Sequence, residues 1–416
     1  MRLKGSFSPP GDKSISHRLA LMSLLAQGEV ELTNMAPGED VRSSLRAVDQ
    51  LGSRVEFRRD RVLIKGAAGR VKPAAEIDCG NSGTTMRLIM GLLAGRPGTY
   101  VLDGDASLRN RPMERVAAPL RKMGAQVECR DGRAPVKISG ADLAGISYDL
   151  PVASAQLKSA VLLAGLQAQG RTVVREPRPS RDHTEKLIAL FGGRISISGP
   201  AITVEKSDLA LPAELFVPGD PSSAAFFLTA AALVPGSRVT ARGMLLNPTR
   251  IGFLEVLKRF GVNFQVATTS LAPEPWGEAV VEYSPRLTAA EITADEIPSL
   301  VDEVPILALA ATQAQGLTIF HDVGELRVKE TDRLAAIVDQ LGRLGARAFI
   351  NGDDLLVEGP TPLRVTADLD SLGDHRMAMT LRLAGLLAGA RPPIKNEDCA
   401  AISYPGFNHD LEELLG

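Results

Sequence analysis

Cysteine is scarce in this chain. Its three copies, Cys79, Cys129 and Cys399, lie far apart and form no CxxC pair, which argues against a disulfide framework or a thiolate zinc site. Histidine is equally thin, and five scattered residues with no HExxH leave no signal for a metal centre. Long apolar runs are missing: none reaches the ~18 residues of a membrane span. The opening MRLKGSFSPPG also lacks the apolar stretch of a secretory signal, so a cytoplasmic protein with no membrane partner is expected. Neither sign of charge is in excess. With 47 Lys and Arg against 49 Asp and Glu, the formal net charge of −2 gives no global pull toward nucleic acid. Any anion site must therefore be a local gathering of cations. No low-complexity tract or Pro/Ser-rich tether divides the chain.

What the sequence does have is length and a repeat. At 416 residues it is long enough for a large core and at least two domains. One kind of helix start occurs six times, polar residues leading into small apolar ones: GDKSISHRLALMSLLAQG from Gly11, GNSGTTMRLIMGLLAG from Gly80, SAQLKSAVLLAGLQAQG from Ser154, GDPSSAAFFLTAAALVPG from Gly219, DEVPILALAATQAQG from Asp302 and GDHRMAMTLRLAGLLAG from Gly373. Spacings of roughly 65 to 80 residues are too long for an ordinary solenoid unit and suit a compact α/β unit with two helices.

After each such helix comes a glycine-led turn, a β-rich run such as EVELTNM or GTYVLDG, and a second amphipathic helix. These second helices begin near Val41, Arg115, His183, Ile251 and Asp332, and FNHDLEELLG supplies the sixth. Each unit is thus expected to hold helix, strand, helix, strand and a further strand, with short polar hairpins at Arg58–Arg61 and Asn351–Asp354. Six units, three to a lobe, make a two-lobed molecule. Pro and Gly punctuate the chain at SPPG (8–11) and FVPGDPSS (216–223). Residues 12–219 are therefore expected to form one lobe, and 220–416 the other, with residues 1–11 joining the latter.

The residues able to do chemistry cluster at these helix starts. A helix N-terminus presents unpaired N–H groups and partial positive charge, and several aimed at one cleft make an anion site. Asp220, Ser222 and Ser223 are explained equally well as helix caps. Lys13, Arg18, Arg87 and Arg376 are not, because a cation there opposes the helix dipole and calls for an anion.

GDKSISHR from Gly11, GNSGTTMR from Gly80, RNRPM from Arg109, SAQLKSA from Ser154, RDHTEKL from Arg181, LRVKETDRL from Leu326 and GDHRMAM from Gly373 occur in order across essentially the whole chain. Together they resemble the signature segments of the 5-enolpyruvylshikimate-3-phosphate synthase family. The resemblance implies an α/β fold, a two-domain inside-out α/β barrel with three βαβαββ units in each domain. It also implies an enolpyruvyl transfer from phosphoenolpyruvate to the 5-hydroxyl of 3-phosphoshikimate, releasing phosphate on the shikimate route to aromatic amino acids. Neither metal nor organic cofactor is implied. The partners would be the two small-molecule substrates, with a monomer expected.

Both substrates carry a phosphate and a carboxylate, so a site for them needs several cations. By resemblance, 3-phosphoshikimate is held by Lys13, Ser14, Arg18, Ser154, Ala155, Gln156, Arg181, Asp302 and Lys329, with Arg181 a candidate for its phosphate. Phosphoenolpyruvate would be held by Lys13, Gly83, Arg111, Gln156, Arg333 and Arg376. Addition–elimination also needs a group to take the hydroxyl proton and one to protonate the methylene carbon. The resemblance assigns the first task to Asp302 and the second to Glu330, with Lys13 a further participant; the division among the three stays open. His375 is a candidate hydrogen-bonding helper. Read without the motif, Glu330 and Arg333 would be a helix-surface ion pair.

Some positions depart from the family pattern. Ile402 stands in AISYPGF where many members have a lysine, so a phosphoenolpyruvate contact is absent or comes from elsewhere. Ser154–Ala155 and RDHTEKL lean to one subgroup, yet Gly83 is the small residue of the other and is expected to leave room for glyphosate. Other functions fit the residues less well. The sister transferase acting on UDP-N-acetylglucosamine typically uses a loop cysteine, and residues 105–113 hold none. An RNA 3′-phosphate cyclase would need a nucleotidylated histidine and a polyanion surface. A P-loop fails because Asp12 stands where GxxxxGK[ST] requires glycine.

Overall fold

In the computed structural model, residues 2–73 and 76–416 are described. The chain divides into two compact units, one comprising Gly11–Val217 and the other the residues up to Pro10 together with Pro218–Gly416. Gly11 thus falls in the first unit, and Pro218 and Gly219 in the second.

The Gly11–Val217 unit is built on three buried helices, Lys13–Met22, Gly83–Leu93 and Ala155–Gly165, rich in Leu, Ala, Met and Gly. Past the first six residues each is apolar on every side, and such a segment can only be an interior element. Each opens on a side-chain cap: Asp12 accepts from the Ile15 N–H, Ser82 from Thr85 and Ser154 from Leu157. Around them lie three four-stranded sheets of one design. Thr99–Asp103, for example, pairs parallel with the edge strand Ile77–Asp78 and antiparallel with Arg133–Ser139, which pairs with Gln126–Arg130. The edge strand of the sheet around Glu29–Thr33 is Glu214–Phe216, from the far end of the unit's sequence. The unit is therefore closed on itself.

Small residues let the core helices approach closely. A Cβ added to Gly91 would lie 2.2 Å from the carbonyl oxygen of Ala160 on the neighbouring helix. Only glycine fits there.

The other unit repeats the plan with the buried helices Pro221–Leu233, Val304–Ala311 and His375–Leu387. Asp220 and Asp374 cap two of them. The chain's first strand, Lys4–Phe7, pairs parallel with Arg238–Leu245, so it completes this unit's first sheet. Phe7 meets Phe227 edge-on at 5.0 Å, and Phe227 stacks on Phe407 at 5.0 Å, tying the chain's start to the Phe407–Leu415 helix. The sixth repeat departs from the expected pattern. Its strands Leu369–Asp370 and Ile394–Lys395 form a two-residue parallel pair, and a 3-10 turn and the Phe407–Leu415 helix follow in place of a hairpin.

His321, just past the Ala314–Phe320 strand, bonds the Asp354 carboxylate through Nδ1 and the Glu291 carboxylate through Nε2, both at 2.8 Å. It therefore joins three strands of the sheet through charge. These two hydrogen bonds, Asp354 first, raise its pKa above the ordinary 6.5, while Asp354 is lowered by the Asp322 N–H and by His321.

Two outcomes are expected. Gly91→Ala should destabilise by about 1–3 kcal/mol, because the Cβ would meet backbone that can yield only by moving a helix. Urea denaturation tests this, and an unchanged midpoint would show that the helices separate freely. A raised histidine pKa means that the folded state holds the proton more tightly, so the stabilisation is full below the ordinary histidine value and is lost as pH rises through the raised one. The thermal midpoint of the natural chain should exceed that of His321→Asn on the acid side, and the gap should close with rising pH. A pH-independent gap would refute the ion-pair account.

Candidate active site

In the Gly11–Val217 unit the predicted residues gather at the starts of the three core helices. Lys13 is the first helical residue, and its ammonium pairs with the carboxylate of Asp40, which is itself buried. The anion demanded by a cation at a helix start is thus supplied by the chain itself, which the sequence argument did not foresee. Arg18 is buried. It donates to Thr184 Oγ1 at 2.7 Å, to Ser159 Oγ at 3.0 Å and to the Ser14 carbonyl at 2.9 Å. It therefore fastens its own helix to the helices beginning at Ala155 and His183. Arg181 Nη1 lies 3.4 Å from Ser14 Oγ.

The next start is equally interlocked. Gln156 accepts from Arg87 at 2.5 Å and donates to Thr84 Oγ1 at 2.9 Å, so its amide orientation is set by the Gly83–Leu93 helix. The other arm of Arg87 donates to the Pro112 carbonyl at 3.0 Å, beside Arg111. Arg111 donates to Asn81 Oδ1 at 2.7 Å, and Asn81 donates to Asp105 at 2.7 Å. A Cβ on Gly83 would sit 3.1 Å from Arg87 Nη1 and 3.4 Å from Arg111 Nη1. Ser154 caps its helix with Ala155 as the first residue, and the Ala155 carbonyl accepts from Ser159 at 2.6 Å.

Beneath the Gly83 start runs a chain of hydroxyls. His17 Nδ1 meets Ser44 Oγ at 2.8 Å, Ser44 meets Thr85 Oγ1 at 2.7 Å, and Thr85 donates to the capping Ser82 at 2.7 Å. Burial, reinforced by Lys13 and Arg18, holds His17 well below the ordinary histidine pKa. It works as a neutral hydrogen-bonding group.

The second unit carries a denser cluster. Arg333 is buried and meets three carboxylates: Asp374 at 2.8 Å, Glu330 at 2.6 Å and Asp302 at 3.4 Å. Burial opposes its charge, but Asp374, Glu330 and Asp302 more than offset this and raise its pKa. Asp302 also lies 3.6 Å from Lys329 Nζ and 3.6 Å from Arg376 Nη2, while Arg376 Nη1 donates to the Asp302 carbonyl at 3.2 Å. Burial lowers the Lys329 pKa, with Asp302 pulling the other way.

Two expectations need correction. Asp302 does not open its helix: the helix is Val304–Ala311, and Asp302 occupies the turn before it, turned toward the cations. Glu330 and Arg333 are not a helix-surface pair either, because the helix begins at Arg333 and the guanidinium is buried. Asp374, which caps the His375–Leu387 helix and pairs with Arg333, was missed. Its place just before the motif arginine was the available signal. His375 is buried as the first residue of that helix, and Ile402 ends a 3-10 turn. His409, Asp410 and Glu413 lie close enough to hold a cation, but Asp410 accepts from Tyr404 and His409 pairs with Glu413 at 3.4 Å. An ordinary helix-surface arrangement explains them.

A family model described as EPSP synthase (3-phosphoshikimate 1-carboxyvinyltransferase) matches residues 1–411. The chain belongs to the EPSP synthase family. It is 44% identical to the 3-phosphoshikimate 1-carboxyvinyltransferase of Bacillus licheniformis, over 99% of this chain and 97% of the relative. It is 46% identical to that of Anaeromyxobacter sp., over 100% of this chain and 94% of the relative. Among solved structures, EPSP synthase from Acinetobacter baumannii superposes with a TM-score of 0.86 at 38% identity, covering 99% and 96% of the two chains. The enolpyruvyl transferase NikO from Streptomyces tendae superposes at 0.79 with 20% identity and 99% and 95% coverage, which shows a shared fold. The two-domain inside-out α/β architecture is thus that of the family, with core helices within each unit and sheets around them.

Proposed function

We propose that this chain transfers the enolpyruvyl group of phosphoenolpyruvate to the 5-hydroxyl of 3-phosphoshikimate, releasing inorganic phosphate by addition and elimination through a tetrahedral intermediate. The observation that carries the reading is the cluster of Lys329, Arg333 and Arg376 about Asp302. Those three cations and the carboxylates of Asp302, Glu330 and Asp374 place anion-binding charge and groups able to move a proton in one cluster. In this reading Asp302 accepts the hydroxyl proton, and Glu330, with Lys13 as a further participant, delivers a proton to the methylene carbon. Arg333, Arg376, Arg111, Lys13, Gln156 and the Gly83 backbone take phosphoenolpyruvate. Ser14, Arg18, Ser154, Ala155, Gln156, Arg181, Lys329, Lys13 and Asp302 take 3-phosphoshikimate.

Arg87 supports the Gln156 role, since its bond to Oε1 leaves the amide in one orientation. Both partners are small anions, and the working form we infer is a cytoplasmic monomer. No helix among the described residues is long and apolar enough to cross a membrane.

Phosphate release from phosphoenolpyruvate should require 3-phosphoshikimate and be absent with UDP-N-acetylglucosamine as acceptor; the reverse preference would overturn the assignment. Asp302→Asn and Glu330→Gln should each lower kcat by about 10²–10⁴, and a variant with kcat unchanged would remove that residue from the proton-transfer scheme. Gly83 leaves a space bounded by the Arg87 and Arg111 guanidiniums. Glyphosate should therefore inhibit the natural chain, and Gly83→Ala should weaken that inhibition while raising KM for phosphoenolpyruvate. A natural chain indifferent to high inhibitor would reject the idea.

A further inference from the structure

Lys158 lies in the first half of the buried Ala155–Gly165 helix, and its ammonium is sealed from solvent. A lysine so placed must have all three hydrogens satisfied. They are: Nζ lies 2.6 Å from Glu185 Oε1, 2.9 Å from Glu176 Oε2 and 3.3 Å from the Ser180 carbonyl. These acceptors belong to one short stretch. Glu176 follows the Arg171–Arg175 strand, Glu185 lies in the first turn of the His183–Leu190 helix, and Ser180 stands between them. The Ser180 hydroxyl donates to Glu176, closing the loop on itself. Two prolines, Pro177 and Pro179, restrict the remaining backbone.

The Ser180 carbonyl belongs to the peptide that joins Ser180 to Arg181. By bonding it, Lys158 fixes the peptide plane from which the Arg181 side chain departs. The following residues are held from the other side, where Thr184 Oγ1 meets Arg18 at 2.7 Å and Ser159 at 2.6 Å. We propose that Lys158 is a positioning residue for the acceptor substrate: through the Glu176–Ser180–Glu185 clamp it presets Arg181 for the 3-phosphate of 3-phosphoshikimate. This rests on the reading of Arg181 as a phosphate ligand. Lys158 itself touches no reacting atom. Arginine could not replace it, because a planar fork does not match three acceptors arranged about a point charge.

A merely structural ion cluster would lower stability and leave ligand affinity alone, so the decisive readout is binary affinity. Calorimetric titration of 3-phosphoshikimate into the full chain should give at least tenfold weaker binding for Lys158→Met/Glu185→Leu, which removes the Lys158–Glu185 pair together and leaves Glu176 the Ser180 hydroxyl as a partner. KM for phosphoenolpyruvate should stay within threefold. If Lys158 acts through Arg181, adding Arg181→Ala to the double variant should weaken binding no further than Arg181→Ala alone does. A folded double variant that binds within threefold of the natural chain overturns the proposal, and so do losses that multiply. Should Arg181→Ala itself leave affinity unchanged, the reading of Arg181 fails and takes this proposal with it, whereas a weakened Arg181→Ala beside an unaffected double variant sinks the positioning role alone. If the double variant does not fold, Glu176→Gln carries the test. It keeps an acceptor for the ammonium but removes the charge. A threefold or greater loss that disappears in the Arg181→Ala background supports the role, and no loss overturns it.

Discussion

Water is the natural partner of a guanidinium, and one sealed from it must find its counter-charge and its hydrogen bonds within the chain. Arg333 is the extreme case here. Buried at the first position of its helix, it is enclosed by Asp374, Glu330 and Asp302, and each of those is placed by a different segment. The constraint works in both directions. The carboxylates justify the cation, and the cation fixes the loop carrying Lys329 and Glu330, the turn carrying Asp302 and the cap of the His375–Leu387 helix. Removing Arg333 would leave the buried Asp374 carboxylate without its cation, an effect of about 3–5 kcal/mol in comparable pairs. In the proposed reaction, chemistry and stability therefore draw on the same atoms.

The fold explains why such groups collect at helix starts. Core helices such as Pro221–Leu233 are buried along their whole length, so their flanks can carry only apolar or fully paired residues. Polar side chains are tolerated most easily at the N-terminus, where four N–H groups lack intrahelical partners and a cap is wanted. Asp12, Ser82, Ser154, Asp220 and Asp374 meet that need. The residues beside them, Lys13, Gly83, Ala155 and Arg376, are then presented at fixed positions by a rigid interior element. A site built on buried helix starts inherits the precision of the core.

Much of this was legible in the sequence because it depends on local pattern. Capping residues before small-residue runs located five of the six core helices, the apolar run VPILALAA located the other, and glycine stops with alternating strands located the second helices. The family motifs named the charged residues. Pairings that close over long sequence distances were not legible. Nothing near Lys13 marks Asp40 as its partner, and nothing in the Glu214–Phe216 stretch says that it pairs with Glu29–Thr33. Asp302 was placed at a helix start because DEVP looks like one; the proline falls in the first turn, but the helix begins two residues later, leaving Asp302 to answer to cations instead of backbone. Lys158 did carry a signal, a lone cation inside LKSAVLLAG, whose meaning appears only when Glu176, Ser180 and Glu185 are brought to it.

On the proposed reading of the site, the internal partners of its cations bear on how ligand anions would be taken up. Lys13 pairs with Asp40, and Arg376 lies near Asp302 and Glu303. A cation already dehydrated and held by a carboxylate does not have to be stripped of water when a phosphate or carboxylate arrives. It exchanges or shares a partner. The desolvation is met at folding, and the ligand meets a guanidinium whose orientation is set. The same arrangement discourages weaker anions, which must compete with a carboxylate already in place. A doubly charged phosphate outcompetes such a partner where chloride would not, since charge and bidentate geometry both favour it. Selectivity for phosphorylated carboxylic acids can thus arise from the carboxylates that sit among the cations, as much as from the cations themselves.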